Sequence, residues 1–144
     1  MMICSRQLKS WLASACLLIS PLAHAELSCP GNLEVKQSAA TPSGWSATYS
    51  EEAPRLIGVT IFDGPPANRA GMKYNYRRQI GKELHLIWNL VYSPRSYYLQ
   101  CQYERTSALI SSPMPAGTRG CEVVFDRTIT YPGSGMAVKR MVCR

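Results

Sequence analysis

Acidic residues are scarce in this chain. Nine Asp and Glu face sixteen Lys and Arg, for a formal charge of +7 at pH 7. That balance argues against a strongly basic partner, which long-range repulsion would hold away. Histidine is nearly missing, with only His24 and His85, and no CxxC or HxxxH spacing occurs, so the ligand patterns of common zinc sites are excluded. No GxSxG, phosphate loop or dinucleotide fingerprint occurs either, which removes the usual hydrolase and nucleotide-binding signatures. Beyond Leu22 no apolar run approaches the roughly 20 residues needed to span a bilayer. Helical periodicity is thin throughout.

The first 25 residues have the layout of a cleavable export signal. Arg6 and Lys9 supply the positive start, Trp11 to Leu22 is mostly apolar and uncharged, and Ala23-His24-Ala25 offers the small-x-small cleavage pattern. Ala13-Ser14-Ala15 before Cys16 loosely resembles a lipidation box, but the apolar run continues through Leu17, Leu18 and Ile19, which is wrong for a cleavage point. Cleavage after Ala25 would leave residues 26–144 as one periplasmic domain without an integral membrane segment. Cys4, Cys16 and His24 would leave with the signal, and the charge would fall by two, to +5.

Four cysteines would remain: Cys29, Cys101, Cys121 and Cys143. An even number in a small exported domain reads as two disulfides. Tyr97, Leu99, Cys101 and Tyr103 share one face of a predicted strand, and Cys121, Val123 and Phe125 share one face of another. Adjacent strands would bring Cys101 to Cys121, leaving Cys29 to Cys143; this is the favoured of three pairings.

Strand signals dominate the remainder. Trp45 to Tyr49, Leu56 to Phe62, Leu84 to Tyr92, Tyr97 to Tyr103, Ser107 to Ile110, Cys121 to Thr130 and Met136 to Cys143 each read as strands. In the third, Leu84, Leu86, Trp88, Leu90 and Tyr92 share an apolar face, while His85, Ile87, Asn89 and Val91 form a mixed one, as in a central strand partly covered on both sides. Asp63-Gly64-Pro65-Pro66 is a rigid stop. Asn68 to Lys82 reads as a long loop with at most one helical turn, since Gly71, Asn75 and Gly81 weaken a helix. The expected fold is all-β: a small antiparallel sandwich or partly open barrel with two disulfides.

Basic residues concentrate in Arg69, Lys73, Arg77, Arg78 and Lys82, with Tyr74 and Tyr76 between them. Outside the cytoplasm such a mixture reads either as a solvated loop kept soluble by its charge or as a patch that meets an acidic partner protein, anionic lipid or cell-wall polymer, rather than nucleic acid. Asp63, Tyr74, Tyr76, Arg77 and Arg78 are the candidate partner contacts. His85 sits mid-strand as a structural residue, and with all four cysteines oxidised no nucleophile stands out. Neither cofactor nor metal is expected, and the chain reads as a binder rather than an enzyme.

Several segments together resemble a family of small exported proteobacterial proteins of largely uncharacterised function, some of them associated with type VI secretion loci. They are Cys29-Pro30, Trp45-Ser46-Ala47-Thr48-Tyr49, Leu56-Ile57-Gly58-Val59, Phe62-Asp63-Gly64-Pro65-Pro66, the Trp88 strand, Cys101-Gln102-Tyr103 with Thr106 and Leu109, and Pro113-Met114-Pro115-Ala116-Gly117 leading into Cys121-Glu122-Val123. The segment after Pro66 is more basic here than in the family pattern. The resemblance implies a periplasmic immunity protein that occludes the active site of a cell-wall-targeting effector. A lysozyme-inhibitor-like protein and an envelope-assembly accessory are the alternatives; the basic charge counts against the first, because lysozyme is itself basic.

Overall fold

The computed structural model describes residues 27–36, 38, 40–44, 46–48, 52–131 and 135–144. The signal segment 1–25 lies outside the described residues, as do Trp45 and Tyr49 at the ends of the first candidate strand; Ser46–Thr48 between them belong to no strand.

Among the described residues, eight strands form two four-stranded antiparallel sheets packed as an open sandwich. They are β1 Leu56–Asp63, β2 Gly71–Met72, β3 Tyr76–Ile80, β4 Glu83–Asn89, β5 Tyr97–Tyr103, β6 Leu109–Pro113, β7 Gly120–Tyr131 and β8 Gly135–Cys143. The first sheet runs β2-β1-β5-β6 and the second β3-β4-β7-β8. Successive strands pair as hairpins, and the hairpins are dealt alternately to the two sheets. The chain therefore crosses between sheets three times, at 73–75, 90–96 and 114–119. Register places the crossings at 90–96 and 114–119 at one end of the sandwich, with the C-terminus beside them.

Alternation explains the core. Ile61, Leu99 and Tyr103 of the first sheet meet Leu84, Trp88, Val123, Phe125 and Met141 of the second. Each such aliphatic side chain, fully buried, contributes about 1.5–3 kcal/mol. The Trp88 ring also joins the sheets, its Nε1–H donating to the carbonyl of Met72 on β2 (3.1 Å). Strand β4 is central, between β3 and β7, which accounts for its mixed second face.

The segment expected as a long loop is mostly strand. Only Pro66–Asn68 makes a helical turn, of 3-10 type, and the chain then enters β2 and β3. Ile80 pairs with Glu83 across the two-residue loop Gly81-Lys82, with Gly81 at φ +56°, the sign that a type II′ hairpin needs at its first loop position. Every residue of β3 is exposed, so no apolar period marks it. The short strand expected at Ser107 to Ile110 begins two residues later, as β6.

The disulfides are Cys29–Cys101 and Cys121–Cys143, not the favoured Cys101–Cys121 and Cys29–Cys143. Cys101 and Cys121 do face the same core, but from opposite sheets. Facing sheets stack about 10 Å apart, beyond the Cα separation that a disulfide spans. Cys121 instead lies directly opposite Cys143 across the β7–β8 hairpin. Gly120 and Arg144 exchange both backbone hydrogen bonds next to it, so the cysteine pair occupies a narrow, non-hydrogen-bonded position. Cys29 reaches Cys101 because the segment before β1 folds back along the first sheet. There Leu56 N–H donates to Gly31 O, Leu33 N–H to Pro54 O, and the Tyr103 hydroxyl to Pro30 O.

Candidate protein-binding surface

The crossing at 90–96 carries the two most exposed large apolar side chains of the described residues. Tyr92 is 94% exposed and Val91 73%. The loop beneath them is tightly braced. Leu90 is buried as its anchor, and its N–H donates to Arg119 O (2.8 Å). Ser93 Oγ donates to Asp63 Oδ1 (2.8 Å) and accepts from the Arg95 N–H (3.1 Å), while the Arg95 guanidinium donates to Asp63 Oδ2 (2.6 Å). The Tyr97 hydroxyl donates to Val91 O (2.7 Å). The Ser93 hydroxyl and then Arg95 hold the Asp63 carboxyl below its ordinary pKa, against the opposing effect of burial. Between this loop and the 114–119 crossing opens a cleft of about 380 Å³, with Leu90 and Met114 as its buried part and Pro94, Pro115, Arg95 and Arg119 around it.

Arg119 also borders a second cleft of about 280 Å³, together with Arg78, Ile87, Glu122, Val142 and Arg144. Gly120 keeps the two regions close-packed: a Cβ there would fall 2.6 Å from the Trp88 carbonyl oxygen. Above the second cleft lies the outer face of the second sheet, which holds a buried histidine. His85 is 4% exposed although its strand face points away from the core. Its Nδ1 lies 2.7 Å from Glu122 Oε1 and its Nε2 3.3 Å from Glu83 Oε2, the latter an ion-pair separation rather than an aligned hydrogen bond. An ionised carboxylate only accepts, so Nδ1 carries a proton. The His85 hydrogen bond, aided by Arg140 and Arg78, holds Glu122 below the usual carboxylate range. Lys139 does the same for Glu83.

The five residues expected to meet a partner are not one patch. Asp63 is an internal brace. Tyr74 is half-buried, edge-on to Trp88 with ring centroids 6.1 Å apart, and closes the side of the sandwich. Tyr76, Arg77 and Arg78 are exposed on the edge strand β3. Pairing of Tyr76 with Ile87 and Arg78 with His85 puts those two on the outer face, and Arg77 on the other. Val91, Tyr92, Arg95 and Arg119, which no sequence pattern singled out, are brought together around the first cleft. Alternation had carried Tyr92 onto the core face of a strand ending there, but β4 stops at Asn89. Ser93-Pro94-Arg95, which in the sequence reads as a hairpin turn between two paired strands, lies instead in a crossing between the two sheets.

Among the described residues, no group of three or more His, Cys, Asp or Glu is placed to hold a metal ion, and no helix is long and apolar enough to cross a membrane. Comparison with known proteins gives one finding of weight: the family model described as Type VI secretion system Tli immunity protein matches residues 50–144. That span contains all eight strands and leaves Cys29 outside. No curated protein and no solved structure matches.

Proposed function

Because the chain belongs to the type VI secretion system Tli immunity protein family, we propose that it works in the periplasm, where it neutralises an effector attacking the cell envelope by occluding its active site. Membership of an immunity family implies a non-catalytic inhibitor that binds a protein effector. The family match over residues 50–144 is the observation that carries the reading. Two disulfides support an oxidising compartment. The signal-like residues 1–25, cleaved after Ala25, supply the route. The braced, exposed loop at one end of the sandwich supports occlusion, since a preordered loop loses little entropy on binding.

The test is growth. Effectors of the type VI system in the same strain are directed one at a time to the periplasm, with and without this chain. One effector should become harmless when the full chain is present, and remain toxic when residues 1–25 are deleted and the chain stays in the cytoplasm. Failure to rescue any effector, despite stable export, refutes the reading. The narrower target, the cell wall, requires that the unprotected cells release muropeptides; release of fatty acids instead would move the target to the membrane.

A further inference from the structure

We propose that the Val91–Tyr92 knuckle is the part of this chain that enters the effector, and that the surface it meets is an apolar cleft with an acidic rim. The proposal rests on the immunity reading and names the contact within it. Among the described residues the fold uses neither side chain: Tyr92 is 94% and Val91 73% exposed. Yet the backbone that presents them is held by the Tyr97 hydroxyl, the Asp63–Ser93–Arg95 cluster and the buried Leu90. A solvent-facing tyrosine on a braced backbone avoids the entropy cost of ordering its loop on binding and can bury roughly 150–250 Å². Tyrosine is also among the residue types that dominate interface energetics.

Charge selects the rim. Asp63 is the carboxylate beside the knuckle, and Arg95 already pairs with it. Arg119 lies between the two clefts, and no carboxylate pairs with it among the described residues. Arg144 and Arg78 continue the border along the second cleft, where Arg78 lies 4.0 Å from Glu122 and Arg144 adds a further guanidinium. A partner with acidic groups around an apolar opening complements this border, and an acidic partner would be steered toward it. The neighbouring 380 Å³ concavity favours a protein, which can fill the cleft with a ridge, over a flat lipid surface.

The experiment uses the effector found by growth rescue and the full exported chain. Tyr92→Ala should weaken binding by roughly 30-fold or more, and Tyr92→Glu should abolish protection, with both variants melting as wild type does. Arg119→Glu should weaken binding most at low salt. Leu109→Ala, an exposed apolar change at the opposite end of the first sheet, should leave binding unchanged. Wild-type affinity in both Tyr92 variants would overturn the proposal. So would a loss confined to Arg77→Glu/Arg78→Glu, which would place the contact on β3. Loss of binding to phosphatidylglycerol vesicles in Tyr92→Glu, with effector affinity unchanged, would assign the knuckle to a membrane and overturn it equally. If wild type binds no effector, the immunity reading fails first, and the knuckle falls with it.

Discussion

Removing the Cys29–Cys101 disulfide should cost more stability than removing Cys121–Cys143. The first closes a loop with a sequence separation of 72 and the second one of 22. In the chain-entropy account the losses are about 4.4 and about 3.4 kcal/mol respectively, a difference of about 1 kcal/mol. Cys101 and Cys121 are both buried, so the paired alanine changes leave comparable small voids and the difference reports mainly on the loops. With a urea m-value of about 1.5 kcal/mol/M, the midpoint should fall by roughly 3 M in Cys29→Ala/Cys101→Ala and roughly 2 M in Cys121→Ala/Cys143→Ala. Losing both would remove about 8 kcal/mol, which is much of the 5–15 kcal/mol of a typical domain. Urea unfolding followed by circular dichroism measures the midpoints, and thiol titration under denaturing conditions checks the pairing. In the chain from residue 26 onward, which lacks Cys4 and Cys16, each double variant should show no free thiol. Two free thiols in Cys29→Ala/Cys101→Ala would refute the pairing, and a larger loss in Cys121→Ala/Cys143→Ala would refute the entropic argument.

Acid should weaken the fold through Glu122, Glu83, Asp63 and Asp126, whose carboxyls the fold holds below their ordinary values. A depressed carboxylate adds stability above its unfolded pKa, which is lost as pH falls through the folded one. Urea midpoints should therefore drop below about pH 4.5, and less steeply in Glu122→Gln; an equal slope in that variant would contradict the assignment. Gly120→Ala should lower stability by about 1–3 kcal/mol, because its Cβ would press on the Trp88 carbonyl; a thermal melt unchanged from wild type would show that the contact relaxes freely. Trp88→Phe removes the donor to Met72 O and should cost about 1–2 kcal/mol, read by the same melt, with no loss as the refuting result.

The strands most easily seen in the sequence were those with one apolar face. Leu84, Leu86 and Trp88 repeat every second residue, as do Leu99, Cys101 and Tyr103, and both sets are core residues in the structure. Strand β3 had no such signature because Tyr76 and Arg78 face outward while Arg77 and Gln79 project from an exposed edge. Its only mark was Gly81-Lys82, a hairpin loop mistaken for part of a longer one. Alternation identified the inward-facing cysteines but could not say which sheet each belonged to. That depends on the alternate dealing of hairpins, and it reversed the pairing. The same limit hid the candidate contact: periodicity carried Tyr92 inward past the point where the chain leaves the sheet. The immunity assignment was legible in the order of segments, not in any chemical motif.

The exposed edge at β3 bears on how the free protein is stored. An immunity protein must already be present when its toxin arrives, so it spends most of its life unbound among copies of itself. An unprotected edge strand invites those copies to zip together through unpaired backbone groups. Arg77 and Arg78 stand on opposite faces of that edge, with Lys82 in the adjoining turn. Two molecules approaching edge to edge would bring like charges together on both faces. The basic run thus lets a defensive protein accumulate without consuming itself, a service it performs before any enemy is met.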